Sequence, residues 1–361
     1  MLAIGLLTCC ATGARGSVTA LRLSHASAAH EPSEPTRLLV RRQDRALRPA
    51  AASPGYLVWG SGGIESESVT TALVQRDLHS KATRVLAPAT RPDFGVASTA
   101  KWVVYVTGEG SLTVVAVSHD GTRRHVLGNG LIAPVASRGE RVAWAQEHAG
   151  VQRVFVQNMA TGRKWLAARL PRCVAGRCYR IDFVTLADRG VVFSRGAIGP
   201  QPSLIVRRAY IDAKPTTVPV PNDPQPDLAP SSEGALYYAY SRGWYRWDFG
   251  RRLPRLTQFK GPDQAPILRY ERGDWYLRGG KSCRPSVRVL SPKGPQVVIS
   301  SPGGKTGLAR TPASDCAEMT DLVLTHTDVI TAWVFRPPYA ITAHNDFGLV
   351  GVLLATKHRR S

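Results

Sequence analysis

The stretch Val135–Ala167, VASRGERVAWAQEHAGVQRVFVQNMATGRKWLA, alternates apolar and polar residues and is interrupted by short turns rich in Ser, Gly, Asn and Thr. A small polar turn leads into an apolar strand ending at Trp144, and a second hairpin follows, RVFVQNMATGRKWLA. Period-two alternation between glycine-bearing turns is the pattern of antiparallel hairpins, and no helical spacing of apolar residues competes with it. Two hairpins in succession make one four-stranded antiparallel unit, with strands termed A to D from the inside outwards.

The first half of this unit recurs along the chain. The copies are AASPGYLVW to Trp59, ASTAKWVVY to Tyr105, VASRGERVAW to Trp144, TLADRGVVF to Phe193, APSSEGALYY to Tyr238, LRYERGDWY to Tyr276 and LTHTDVITAW to Trp333. Their anchors are 46, 39, 49, 45, 38 and 57 residues apart, which brackets the length of a β-propeller blade. The fold expected is therefore all-β, a propeller of seven four-stranded antiparallel blades, with six as the alternative count. The seventh repeat lacks one strand before the chain ends. TRLLVRR, residues 36 to 42, lies ahead of the first A strand and supplies the missing outer strand, closing the ring and removing its open edges. The aromatic anchors read as packing between blades rather than as a sugar-binding ring.

An aromatic-ended strand after an S-x-x-G turn, followed by a DG or TG turn and R-x-L, as at Ser118 to Leu127 and Arg252 to Thr257, resembles the TolB-like and WD-like bacterial propellers. The resemblance covers residues 36 to 356. The sequence departs from the pattern in having no S-P-D-G turn, and its Trp247–Asp248 pair is out of register with WD repeats. The resemblance implies a scaffold that binds partners or ligands at one end, without a shared chemistry.

Residues 1–29 read as a signal peptide, apolar from Leu2 to Ala14 with a small-residue site at Ala26–Ala29, and residues 30–35 as a linker. The absence of a basic start, and Arg15 and Arg22 within the segment, depart from the usual form. A lipid anchor at Cys9 or Cys10 is the lesser reading, because Thr8 precedes Cys9. The propeller then spans 36–356 and a basic tail 357–361. No stretch after residue 30 has the length of uncharged apolar sequence that a spanning helix needs. The expected location is secreted or cell envelope. Cys173, Cys178, Cys283 and Cys316 remain after cleavage, an even number that in an exported chain argues for two disulfides. The pairing expected is Cys173–Cys178 and Cys283–Cys316, since both pairs fall where B-to-C loops and D-to-A connections emerge. A four-cysteine zinc site is the weaker reading, because paired C-x-x-C knuckles are missing.

The net charge of +21 comes from 38 Arg and 9 Lys. It attracts anionic partners, but the basic residues are dispersed and no aromatic stacking platform is interleaved with them, which argues against nucleic acid. The sequence holds no G-x-S-x-G elbow, P-loop, G-x-G-x-x-G or H-E-x-x-H, and no cofactor is expected. His326 with Asp328 and His344 with Asp346 read as polar turns rather than metal ligands, and no metal is expected. Glu147 with His148 is a conceivable acid/base pair, although neighbours on a strand point to opposite faces.

One end of the ring offers a candidate ligand face. Blades four to seven place Arg195, Arg242, Arg278 and Arg336 just after the aromatic anchor, where the B-to-C loops are expected, while blades one to three place acids there, including Glu109 and Glu147. Arginines converging at a narrow mouth suit a carboxylate or phosphate. The function expected is an exported, non-enzymatic binding module or scaffold whose partner is a protein or an anionic envelope polymer. The alternative is a secreted lyase or glycan-acting hydrolase with its site at the axial mouth.

Overall fold

The computed structural model describes residues 37–357, apart from 44–45, 63–70, 92–93, 173–177, 199–201, 211–213, 221–226, 240–242, 250, 257–267, 272–273, 282–283, 292–293, 301–315, 326–327 and 337–349. Seven antiparallel sheets follow one another in chain order. Blade 1 comprises Ala46–Ser53, Tyr56–Gly62, Thr71–Asp77 and Thr83–Thr90, blade 2 Ala97–Ser98, Trp102–Thr107, Thr113–Ser118 and Arg124–Asn129, and blade 3 Leu131–Arg138, Arg141–His148, Val151–Asn158 and Lys164–Leu170. In blade 4 the A strand is split into Cys178–Arg180 and Val184–Ala187, both paired with Gly190–Ile198, before Ser203–Ala209 and Thr216–Val220. Blade 5 comprises Asp227–Pro230, Gly234–Ala239, Gly243–Asp248 and Arg255–Leu256, and blade 6 Leu268–Glu271, Asp274–Lys281, Arg284–Ser291 and Gly294–Ser300.

Blade 7 takes Cys316–Leu324, Asp328–Arg336 and Val350–Lys357, and its fourth strand is the N-terminal Arg37–Gln43, antiparallel to Val350–Lys357 with Arg37 opposite Ala355. The seven blades and their closure are thus as the repeats predict. The closing strand is displaced by one residue, and the last strand runs through Lys357, the first residue assigned to the tail. Extension there completes the pairing of Lys357 with Asp328.

Turn chemistry explains why the repeats are legible. At the A–B turns the Thr99, Ser231 and Thr325 side-chain oxygens accept the N–H of Trp102 (3.1 Å), Gly234 (3.0 Å) and Asp328 (2.8 Å). At the C–D turns Asp77 Oδ1 accepts the N–H groups of His79 and Ser80, Asp120 Oδ1 that of Thr122, and Asn158 Oδ1 those of Ala160 and Thr161. Such short side chains satisfy the turn's own backbone, which is why they cluster between strands. Gly130 is the single residue joining blades 2 and 3, at φ +71°, with the Glu147 carbonyl oxygen where a Cβ would stand 2.4 Å away.

The core lies in the seams between blades. Both faces of each strand meet a neighbouring blade, so alternation sends successive side chains into different seams. In Gly190–Ile198, Val191 and Phe193 pack with Ala143, Val154 and Leu170 of blade 3, whereas Val192 packs with Tyr245 and Trp247 of blade 5. The anchors Trp59, Tyr105, Trp144, Phe193, Tyr276 and Trp333 are all buried; the Tyr238 side chain is outside the described residues.

Arginines cross the same seams. Arg208 of blade 4 reaches back to blade 3, donating to the Ala167 carbonyl (2.6 Å) with its guanidinium 5.3 Å from the Trp165 ring. Its neighbour Arg207 points the other way and lies 4.5 Å over Phe249 of blade 5. Arg246 of blade 5 lies 5.4 Å over Trp275 of blade 6, and Arg269 of blade 6 pairs with Asp321 of blade 7 at 2.9 Å. Arg76 of blade 1 donates to the Leu39 carbonyl of the closing strand. A guanidinium is planar and weakly hydrated, so it stacks on a ring at little desolvation cost. Part of the large positive charge is therefore structural.

Candidate functional site

Arg195 and Arg278 lie within the B strands of blades 4 and 6, not in the loops beyond them. Arg195 pairs with Leu204 and Arg278 with Val287 across their sheets. The strands run on because their partners carry ladder groups through SRGAI and LRGGK, so glycine does not end them. Arg278 Nη1 donates to the Met319 carbonyl of blade 7 (2.9 Å), while the Arg195 guanidinium lies 5.1 Å from the Tyr179 ring of its own blade. Arg336 is the last residue of its B strand, its side chain outside the description, and Arg242 lies outside the described residues. The full arc of four arginines therefore extends beyond what is described.

Of the acids, Glu109 is exposed in the B–C turn of blade 2. Glu147 is the penultimate residue of the blade 3 B strand, exposed, and accepts a hydrogen bond from Gln152 Nε2 (3.1 Å). Gln152 Oε1 in turn accepts the Ile181 N–H of blade 4 (2.8 Å), tying the two blades together. His148 adjoins Glu147 and pairs with Val151. Cys178 opens blade 4 and is disulfide-bonded; Cys173 and Cys283 lie outside the described residues, as does the Cys316 side chain. His326, His344 and Asp346 also lie outside. Among the described residues no three His, Cys, Asp or Glu side chains cluster as metal ligands, and no helix is long and apolar enough to cross a membrane.

Three features escape the sequence. The first is Asp182, in the bulge that splits the blade 4 A strand. Its side chain is only 3% exposed; Oδ1 accepts from Arg180 Nε (2.6 Å), and Oδ2 has no partner among the described residues. Burial pushes its carboxyl above the usual range, against the pull of Arg180. A Cβ on Gly196 would meet Oδ2 at 1.9 Å, so glycine makes room for this carboxyl.

The second feature is a repeated one on the outer edge of the ring. In blades 7, 1, 2 and 3 the C–D pairing carries a β-bulge, next to Leu38, Val85, Val126 and Leu166. These four aliphatic side chains occupy the same place, just before the bulge, and are 38%, 61%, 62% and 43% exposed. Each follows a cation within one or two residues, at Arg37, Arg84, Arg124 and Lys164, all exposed. The bulge turns the strand so that the following residue enters the core. Its extra residue also spoils the edge for pairing with another strand.

The third feature is a cavity of about 150 Å³ in the seam of blades 3 and 4. Arg169 of blade 3 and Arg195 and Arg208 of blade 4 line it, above a floor that includes Leu170, Phe193 and Val206. Arg195 Nε is buried and has no hydrogen-bond partner among the described residues.

A closed ring of seven four-stranded antiparallel blades defines the chain as a seven-bladed β-propeller. No protein-family model and no curated protein matches its sequence. Solved structures match its fold. A prolyl endopeptidase is similar over 82% of this chain and 45% of its own, at 12% identity and a TM-score of 0.55. The β-propeller domain of the Trilobed protease from Pyrococcus furiosus, described as an open velcro topology, is similar over 82% and 92% at 10% identity and 0.54. U3-55K matches over 91% and 100% at 8% identity and 0.54. The chain thus spans less than half the length of the prolyl endopeptidase. Identities this low speak to the fold alone.

Proposed function

We propose that the chain is an exported, non-enzymatic binding module of the TolB-like kind, and that its partner is a flexible anionic polymer of the cell envelope or extracellular space. The observation that carries this reading is the outer edge of blades 7, 1, 2 and 3, where an exposed aliphatic side chain at the same strand position follows a cation by one or two residues, four times over. Adjacent blades of a seven-fold ring point about 51° apart, so a flat membrane meets one or two of these positions at a time. A flexible chain reaches all four. Cations give such a polymer its affinity and its salt dependence, and the aliphatic positions add apolar contact.

The test is binding of fluorescent polygalacturonate across a salt series, for the wild type and for the Val85→Ser/Val126→Ser/Leu166→Ser variant, whose substitutions are all at exposed positions. Affinity falling steeply with salt, and at least fivefold weaker in the variant, is expected. Salt-insensitive binding, or an unchanged affinity, refutes the reading. A glycan-acting enzyme is the second reading, and Asp182 is the residue that favours it: a carboxyl whose pKa burial raises suits general-acid work.

A further inference from the structure

The seam of blades 3 and 4 holds a cavity lined by the outer strand of blade 3 and by blade 4. Three arginines line one half-open space of about 150 Å³, and none is in an ion pair among the described residues. Elsewhere in the ring a seam arginine is spent on its neighbour: Arg269 on Asp321, Arg278 on the Met319 carbonyl. Arg208 is partly so, since only its Nη1 donates to Ala167. Arg195 has its guanidinium 5.1 Å from the Tyr179 ring, and its Nε is buried without a hydrogen-bond partner among the described residues, as are those of Arg207 and Arg288. Leaving a charged donor both dry and unpaired is costly, and like charges sharing a low-dielectric space repel, so the arrangement is relieved by an anion that accepts from these groups.

The remaining walls fix what the anion carries. Leu170, Phe193 and Val206 are buried apolar residues, and they offer no hydrogen bond to a fully hydrated ion. A cavity of about this volume admits a body the size of a benzene ring. We propose that the seam binds a small amphiphilic anion, a carboxylate or phosphate monoester on a six-membered ring or short chain, with its charged end held by Arg195, Arg208 and Arg169 and its apolar end over Phe193 and Val206. Guanidinium forks match both oxyanions bidentately. Because the ligand bridges two blades, its binding fastens the seam, and stability rises with ligand concentration by mass action.

Calorimetric titration and thermal melts at low ionic strength, with phenyl phosphate, benzoate, inorganic phosphate and benzyl alcohol as probes, test this. Saturable 1:1 binding of phenyl phosphate or benzoate, with a higher melting temperature and at least tenfold tighter than both inorganic phosphate and benzyl alcohol, supports it. Arg195→Gln weakens that binding at least tenfold. Should Arg195→Gln fail to fold, Arg169→Gln, at an exposed position, weakens it severalfold. No saturable binding, inorganic phosphate binding as tightly as phenyl phosphate, or full affinity retained in the arginine variants overturns it. The Val85→Ser/Val126→Ser variant, with both substitutions in blades 1 and 2, keeps wild-type affinity for phenyl phosphate; a parallel loss there would show one site rather than two and refute the separation.

Discussion

Removing the side chains that dock the closing strand puts the ring itself to the test. The bulge between Leu38 and Val40 breaks the strand's alternation, so that Leu39 and Val40 are both buried, 9% and 7% exposed, while Leu38 stays outside. Both pack with Leu57 and Trp59 of blade 1 and with Ile330 and Leu353 of blade 7. Leu39→Ala in such a setting costs about 2–5 kcal/mol, and Val40→Ala about 2 more, from lost transfer energy plus the cavities left behind. A total of about 4–7 kcal/mol is a large share of the ~5–15 kcal/mol that holds a domain folded. At ~2 °C per kcal/mol for a domain of this size, the melting temperature falls by about 8–14 °C. Urea unfolding gives the free energy directly, and hydrogen exchange reports the amides of Val350–Lys357, which lose protection once their outer partner undocks. Arg37→Ala, on the same strand but exposed, serves as the control and stays within about 0.5 kcal/mol. A double variant within 1 kcal/mol of the wild type, or one whose Val350–Lys357 amides keep full protection, refutes closure by this strand.

Other perturbations address single sites. Gly130→Ala destabilises by about 3 kcal/mol or more in urea unfolding, because the new Cβ enters the Glu147 carbonyl and the backbone sits at positive φ. His119 lies in the seam of blades 1 and 2, stacked on Tyr56 at 4.1 Å with Nε2 2.8 Å from the Thr99 carbonyl, and burial lowers its pKa despite that carbonyl. A histidine with a depressed folded pKa stabilises fully above its unfolded value, so the wild type loses stability as pH falls below about 6.5; His119→Gln flattens that dependence in melts from pH 7.5 to 5. Asp182 has the opposite sign. Its raised folded pKa means that stability declines as pH rises past the ordinary carboxylate value, so Asp182→Asn is the more stable protein at pH 7, and the difference shrinks towards pH 4. Arg207→Lys gives up the stacking on Phe249 and costs about 1 kcal/mol in urea unfolding although the charge is kept.

Blade number, strand order and ring closure were legible because each rests on local chemistry that repeats: alternation, an aromatic before a turn, a Ser, Thr, Asp or Asn that satisfies the turn backbone. The placement of the arginines was not. SRG after Phe193 and LRGG after Tyr276 look like turns, yet both segments continue a ladder because Gly279 and Gly280 still pair with Ser286 and Pro285. The outer-edge positions were hidden for another reason. Val85, Val126 and Leu166 alternate like any half-buried strand residue, and only the register shift beside each shows that it faces water. The Arg169–Arg195–Arg208 cavity draws on strands from two blades, with sequence separations that no local pattern encodes. Asp182 gave a faint signal, an acid between Ile181 and Phe183 just ahead of the strand Val184–Ala187.

The ring closes by joining residues at opposite ends of the chain, Arg37 opposite Ala355, and this sets a timetable. A ribosome has made every intervening strand before the partner of the first strand exists, so Arg37–Gln43 waits, unpaired, while those blades are synthesised. Loss of Val350–Lys357 through a late stop codon would strand it permanently, leaving blade 7 two strands short and Trp59 open to solvent on one side. The last eight residues of the propeller thus govern the fate of its first seven, and deleting either strand opens the same ring.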